Sequence, residues 1–247
     1  MMRWSWKCNI ALILGGMSVL LSILHFEVFQ DAKTLAFYLA LDVVFVPVQV
    51  LLVTILIERL LTEREKQVLM KKLNMVIGAF FSEVGNSLIR QMTLFCEDFE
   101  ELAGRLDIQG RWDSGEFRGA RRFVDSHECR LSPGAEQLTV LRDFLLEKRT
   151  FVLALLQNPN LLEHDRFTDL LWAVCHLTEE LEVRIDFTTL PPADLRHLRG
   201  DMARAYSALT REWLRYIEHL KESYPYIFSL AVRLNPFKGV TSAVIEG

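Results

Sequence analysis

Residues 35–57, LAFYLALDVVFVPVQVLLVTILI, form an apolar run of 23 residues whose one charged side chain is Asp42. At ~1.5 Å of rise per residue, a helix of that length is long enough for the ~30 Å hydrocarbon core of a bilayer. The stretch therefore predicts a transmembrane helix. A second run, about residues 9–24 (NIALILGGMSVLLSIL), precedes it without a charged residue. Because only about ten residues connect the runs, the sequence predicts an antiparallel transmembrane hairpin.

The N-terminal run is at the short end of what crosses a bilayer, and its flanks decide its interpretation. Trp4 and Trp6 suit an aromatic anchor at the membrane interface. Arg3 and Lys7 form a basic start, which a secretory signal peptide would share. However, the HFEVFQ that follows offers no small-x-small cleavage site, and the second apolar run comes at once. We therefore interpret the run as an uncleaved signal anchor.

The placement of lysine and arginine predicts which side of the membrane each end occupies, because basic flanks favour the cytoplasm. The N-terminal flank is basic, whereas the connecting loop offers only Lys33. Several basic residues follow the second run: Arg59, Arg64, Lys66, Lys71 and Lys72. We expect both termini on the cytoplasmic side, and the pattern favours a bacterial inner membrane.

Polar residues inside the apolar runs are the candidate functional features of the membrane part. Asp42 and Gln49 are seven residues apart and share one helix face. Ser18 and Ser22 lie at comparable depth in the first run and offer hydroxyl groups to Asp42. An ionisable residue at this depth usually faces protein or water. Three hypotheses follow: packing within the hairpin or between copies in a homo-oligomer, a water-filled ion path, or a proton- or voltage-linked switch.

Composition gives the rest of the chain the character of a soluble domain. Of the 247 residues, 51% are hydrophobic and 24% are charged, and the positive mean hydropathy of +0.18 reflects the nearly uncharged first 60. A net charge of −4 and a pI of 5.9 do not indicate a nucleic-acid partner. The cysteines show no CxxC or metal-ligand spacing, so we expect reduced thiols. They are Cys8, Cys96, Cys129 and Cys175.

Strand-like alternation is nowhere sustained, so the sequence predicts an all-α chain in which a transmembrane hairpin, residues 1–58, precedes a cytoplasmic antiparallel helical bundle. Residues 59–106 contain no proline and predict one long juxtamembrane helix, in which an interruption near Gly78 or Gly85 is left open. Residues 107–134 mix glycine with arginine and predict a basic loop or short helix. Residues 135–236 predict the bundle, and residues 237–247 a C-terminal tail.

The predicted bundle is divided by proline and asparagine, which end helices. Helices are expected over about residues 135–156, 165–183 and 191–223, followed by a shorter one over YIFSLAVRL. Before the bundle, Arg118, Arg121 and Arg122 form a basic surface. That surface is either solvated or in contact with anionic lipid headgroups or a phosphorylated ligand.

Histidines of the bundle are weak candidate metal ligands. His176 has Glu179 and Glu180 three and four residues later, and His197 follows Asp194 by three. Carboxylate-bridged di-metal bundles use Glu-x-x-His, whereas His176-x-x-Glu179 has the reverse order and no predicted helix contains a true Glu-x-x-His. The segment also fits a helix end with a solvated acidic face. The sequence predicts no other cofactor.

The sequence contains no phosphate loop, GxSxG, HExxH or other familiar catalytic motif, which favours a non-enzymatic function. The leading hypothesis is a membrane-anchored interaction or sensory protein that self-associates through its hairpin and binds a cytoplasmic protein through its bundle. The first alternative is an oligomeric ion channel or membrane effector with the second apolar helix lining a pore. The second is a metal-binding helical bundle.

Overall fold

The computed structural model describes residues 6–127, 129–161 and 164–238, and within these ranges the chain is all-helical, as predicted. The α-helices there are α1 (Trp6–Phe29), α2 (Ala32–Phe80), α3 (Asn86–Thr93), α4 (Phe99–Arg105), α5 (Ser114–Ser126), α6 (Ala135–Leu156), α7 (Asp165–Glu182), α8 (Pro192–Ser223) and α9 (Pro225–Arg233). A π-helical turn, Phe81–Gly85, joins α2 to α3, and a 3-10 turn, Pro159–Leu161, follows α6. Trp4, Arg3 and most of the predicted tail lie outside the described residues.

The chain divides into two compact units, Met1–Gln67 and Val68–Gly247, and the division falls inside α2. In the first unit, only Gln30 and Asp31 separate α1 from α2. Asp31 Oδ1 accepts hydrogen bonds from the backbone N–H groups of Lys33 and Thr34, both at 3.1 Å. This cap starts α2 early, so the connection is much shorter than the predicted ten residues.

The membrane part offers one candidate span where the sequence predicts two. Ala32–Thr93 is the one helical stretch in the described part of the chain that is long and apolar enough to cross a membrane, with a mean hydropathy of 2.5 in its most apolar window. The apolar stretch of α1, Leu12–Val28, is shorter, at the lower limit of what crosses the hydrocarbon core of a bilayer. Length and composition alone therefore support one spanning helix, and the second span of the hairpin stays a prediction.

The predicted juxtamembrane helix, residues 59–106, is interrupted. The helical path ends at Thr93, a turn follows, and α4 begins only at Phe99. Within the turn, Cys96 forms an isolated antiparallel bridge with Leu131. The interruption arises because this turn pairs with a distant segment: Glu97 donates its backbone N–H to the Arg130 carbonyl at 3.0 Å.

The same turn corrects the expectation of reduced cysteines. Cys96 and Cys129, 33 residues apart in sequence, form a disulfide with their Cα atoms 6.1 Å apart. Spacing along the chain could not reveal this pair, because the bridge between the two segments brings them together. Cys175 is a buried free thiol, and burial raises its pKa.

The predicted basic loop or short helix, residues 107–134, contains the 13-residue helix α5. A capping box begins it: Asp113 Oδ1 accepts from the Glu116 N–H at 2.9 Å, and Glu116 Oε2 accepts from the Asp113 N–H at 2.6 Å. Buried Phe117, Ala120 and Val124 face the core. Their spacing of three and four residues is that of one apolar helix face.

The core of the second unit is organised around α8, which packs against α3, α5, α7 and α9. Its buried face repeats every three or four residues, for example at Leu198, Met202, Ala205, Leu209 and Trp213. Helix α7 packs against both α6 and α8. This arrangement, a helical bundle as predicted, places one face of α7 directly against the first turns of α8.

Candidate metal centre between α7 and α8

Two matched pairs of potential metal ligands face each other where α7 meets the start of α8. His176 and Glu180 lie one turn apart on α7, and His197 and Asp201 lie one turn apart on α8. Residues four apart on a helix project from the same face, so each helix presents one imidazole and one carboxylate. The packing of α7 on α8 brings the two pairs into one cluster.

The ligand atoms are close enough to share one ion. His197 Nε2 lies 3.3 Å from Asp201 Oδ2 and 3.5 Å from Glu180 Oε2. His176 Nε2 lies 3.5 Å from Asp201 Oδ2 and 3.9 Å from Glu180 Oε1. Four ligands arranged tetrahedrally at zinc bond lengths of about 2.0–2.1 Å are separated by about 3.3–3.4 Å. The ligand atoms of His176, Glu180 and Asp201 all lie within 4.8 Å of one another, and His197 approaches both carboxylates from the side of α8.

Asp201 forms the floor of the cluster and is only 3% exposed. Its Oδ1 accepts a hydrogen bond from Arg204 Nη1 at 2.8 Å. Its Oδ2 is buried and makes no hydrogen bond of acceptable geometry within the described residues. A buried carboxylate oxygen without a partner is costly, and this one is directed at both imidazoles.

Arg184 positions the second carboxylate. It donates from Nη1 to Glu180 Oε2 at 2.7 Å and from Nη2 to Asp194 Oδ1 at 2.6 Å. These hydrogen bonds hold the pKa values of both carboxyl groups below their ordinary range. The pair of carboxylates, led by Asp194, in turn raises the pKa of Arg184. Glu180 is therefore fixed as a carboxylate facing α8, as a metal ligand requires.

The structure brings together three of the four predicted metal-ligand candidates. Glu179 is exposed and lies outside the cluster. Asp201 was missed because the sequence analysis paired His197 with Asp194, three residues before it, and not with Asp201, four residues after it. A signal was present: His176-x-x-x-Glu180 and His197-x-x-x-Asp201 repeat one spacing on successive helices.

The predicted intramembrane face is not assembled within the single chain. Asp42 and Gln49 are exposed on α2, and no hydrogen bond joins Asp42 to either serine among the described residues. Ser22 Oγ instead donates to the Ser18 carbonyl of its own helix at 2.9 Å.

The predicted basic surface is also divided. Arg121 forms an ion pair with Glu218 of α8 and is partly buried. Arg118 is exposed and donates from Nε to the Ser114 carbonyl at 3.1 Å, and Arg122 is exposed. The three arginines therefore have different surroundings.

The fold and the cluster define a class: an all-helical protein of two units with a histidine–carboxylate centre in the second. The chain belongs to the family of the uncharacterized protein MJ1433, whose C-terminal helical domain matches residues 69–233 and whose N-terminal helical domain matches residues 2–61. The protein of that name from Methanocaldococcus jannaschii is 38% identical over 237 residues, which cover 96% of this chain and 95% of the relative. No solved structure matches this chain.

Proposed function

We propose that this chain is a membrane-anchored sensory protein whose helical domain binds a divalent metal ion between α7 and α8. Among the divalent ions, Zn²⁺ fits the ligands best. The observation that carries the proposal is the buried Oδ2 of Asp201, which lies within 3.5 Å of two imidazole nitrogens without a proper hydrogen bond. The ligands His176, Glu180, His197 and Asp201 all come from the chain itself.

A metal ion would satisfy this cluster when the facing imidazole nitrogens carry no proton. Arg204 already occupies Oδ1 of Asp201, so the charge of the second oxygen is left to the imidazoles. A neutral imidazole nitrogen without a proton repels a carboxylate oxygen, because both are acceptors. One cation among the four ligand atoms removes the repulsion for both histidines at once.

The choice of ligands restricts the metal. Imidazole combined with carboxylate suits Zn²⁺ and its first-row neighbours, whereas Ca²⁺ and Mg²⁺ prefer oxygen ligands alone. A set of four ligands from the protein is typical of structural zinc sites, which hold elements together rather than activate water. Here the ion would join α7 to α8 across the connection of residues 183–191.

The site also lies beside an exposed aromatic residue, which supports a sensory function. Trp172 is 61% exposed and lies one turn before His176 on α7. Tryptophan is enriched at protein interfaces, so a surface next to the metal is suited to a cytoplasmic protein partner. Metal occupancy would then control how rigidly that surface is presented.

Isothermal titration of the detergent-purified full chain with Zn²⁺, after removal of bound metal by a chelator, tests the proposal. We expect one ion per chain and a loss of affinity of tenfold or more in His197→Gln. Glu179→Gln is the matched control, because Glu179 has the same type of side chain next to a ligand and lies outside the cluster. No saturable binding, or equal losses in both variants, would refute the metal site and leave an ion-pair network only.

The anchoring part of the proposal is supported by the length and hydropathy of α2 and by the basic residues that follow it. It includes a hairpin of α1 and α2, both termini in the cytoplasm, and self-association through the face of Asp42 and Gln49. An ionisable residue within an apolar helix usually faces protein or water, and Asp42 therefore supports a partner helix from another copy. Resistance of the full chain to alkaline carbonate extraction tests the anchoring. Crosslinking in membranes, compared between the wild type and Asp42→Leu, tests the self-association.

A further inference from the structure

A second polar site is a cleft of about 630 Å³ between the C-terminal end of α5, residues His127, Cys129 and Arg130, and α8. We name it the arginine cleft after its lining residues Arg130, Arg204 and Arg211. The volume is in the range of pockets that bind small molecules. Apolar side chains, among them Leu102 and Val124, complete its wall.

The arginines approach the cleft from two separate parts of the chain. Arg130 precedes α6 and is paired with Asp98, while Arg204 and Arg211 lie two turns apart on α8. Arg211 Nε lies 3.0 Å from Asp125 Oδ1, the one acidic group among the lining residues that the structure describes. Each guanidinium has five N–H donors, so these pairings leave donors available to a ligand.

Three other carboxylates pair with these arginines: Glu97 and Asp98 with Arg130, and Asp201 with Arg204. Glu97 is half exposed and does not line the cleft. Asp201 is 3% exposed, and the Asp98 side chain is 18% exposed. Neither is among the residues that line the cleft. The described residues of the lining therefore carry three guanidinium groups against one carboxylate.

His127, which also lines the cleft, has a buried ring nitrogen without a hydrogen-bond partner among the described residues. Its ring stacks on Phe123, with ring centroids 4.8 Å apart. The buried nitrogen is Nε2. Because His127 lines the cleft, a ligand there would satisfy this nitrogen.

From these contacts we infer that the arginine cleft binds the phosphoryl group of a small molecule or of a lipid headgroup. One arginine suffices for a planar carboxylate, whereas three guanidinium groups from two segments suit an anion with three outward oxygens. The hydroxyl group of Ser207, which also lines the cleft, is a further donor. The apolar wall accommodates the body to which the phosphoryl group is attached.

Titration of the chelator-treated full chain in detergent tests this inference independently of the metal centre. The probes are pyrophosphate, micelles containing phosphatidic acid, and succinate as a dicarboxylate control. We expect saturable binding of a phosphoryl probe and at least tenfold weaker binding of succinate. Binding of pyrophosphate would indicate a small molecule as the ligand, and binding of phosphatidic acid alone would indicate a lipid headgroup. Binding of neither phosphoryl probe would overturn the inference, and so would equal binding of succinate.

Three variants show whether the cleft is the site. Arg211→Gln should weaken phosphoryl binding tenfold or more, whereas Arg118→Gln, an exposed arginine outside the cleft, should change it less than twofold. Asp125→Asn breaks the same ion pair as Arg211→Gln but keeps the cation, so it should bind as tightly as the wild type or more tightly. Equal losses in Arg211→Gln and Arg118→Gln would show general charge attraction and contradict the site. A loss of phosphoryl binding in Asp125→Asn would show that the ion pair between Asp125 and Arg211 acts only through folding. That result would also contradict the site.

Discussion

At the scale of single residues, Asp201 determines the character of the candidate metal centre. A carboxylate at this depth, with one oxygen unpartnered, lowers the stability of the metal-free fold. The other three ligands are partly exposed and would be unremarkable as surface ion pairs. The functional interpretation of the cluster therefore depends on the residue that the sequence analysis missed.

Asp201→Asn keeps the side-chain shape while removing the charge. We expect this variant to lose most of its zinc affinity but to be as stable as the wild type, or more stable, without metal. In the wild type, zinc at one hundred times its dissociation constant should raise the free energy of unfolding by about 2.7 kcal/mol. Chemical denaturation with and without zinc measures both effects. An Asn variant stabilised by zinc as much as the wild type would contradict this role of Asp201.

Alanine substitutions at two glycines test how tightly the π-helical turn is packed: Gly85 lies in that turn, and Gly119 in α5 is the control. A Cβ atom on Gly85 would lie 2.4 Å from Phe81 Cδ1 and 3.0 Å from Phe80 Cε1. We expect Gly85→Ala to lower the free energy of unfolding by about 1–3 kcal/mol, as overpacked core variants do. Gly119→Ala in α5 meets no atom within 4 Å and should raise it by about 0.5–1 kcal/mol. Thermal denaturation of both variants checks the opposite signs.

At the scale of elements, helix periodicity and breakers predicted α6, α7 and α8 closely. The run Asn158-Pro159-Asn160 separates α6 from α7, and Pro191-Pro192 begins α8. The interruption at residues 94–98 was missed, since no proline or glycine marks it. The backbone bridge to Arg130 and Leu131 causes it, and such long-range pairing leaves no local pattern. The pairing of His197 with Asp201 on α8 was missed for a similar reason, because only the packing of α7 on α8 brings these residues to His176 and Glu180.

The disulfide between Cys96 and Cys129 should stabilise the turn between α3 and α4. Closing a loop of this size restricts the unfolded chain, and such bonds typically contribute about 2–4 kcal/mol. We expect dithiothreitol to lower the free energy of unfolding by about that amount in the wild type. Cys96→Ser should be insensitive to the reductant, and Cys175→Ser should respond as the wild type does. A wild type that is unaffected by reduction would contradict the prediction.

Contact between α2 and α8 predicts a pH dependence. His219 Nδ1 lies 3.4 Å from Asn74 Nδ2, and burial lowers the pKa of His219 from its ordinary value of 6.5. The unfolded chain therefore binds a proton at a higher pH than the folded chain, so stability should decrease as the pH falls below about 6.5. Urea denaturation in chelator between pH 8 and pH 5 should show a smaller decrease for His219→Gln. Identical slopes for variant and wild type would exclude this role.

At the scale of the whole molecule, the matches at residues 2–61 and 69–233 agree with the division of the structure at residues 67 and 68. Long apolar helices characterise the first part, whereas a packed helical core characterises the second. Basic flanks predict a cytoplasmic second unit, whereas disulfides are typical of oxidising compartments. The two observations are compatible where cytosolic disulfides persist, as in hyperthermophilic archaea.

X-ray absorption at the zinc edge, on the full chain loaded with one equivalent of Zn²⁺, is the most direct test of the central claim. We predict four nitrogen or oxygen ligands at about 2.0–2.1 Å, with the outer-shell scattering of two imidazoles. His197→Gln should reduce the imidazole contribution by half or abolish binding, and Glu179→Gln should leave the spectrum unchanged. A six-coordinate oxygen shell or a sulfur ligand would contradict a zinc centre formed by α7 and α8.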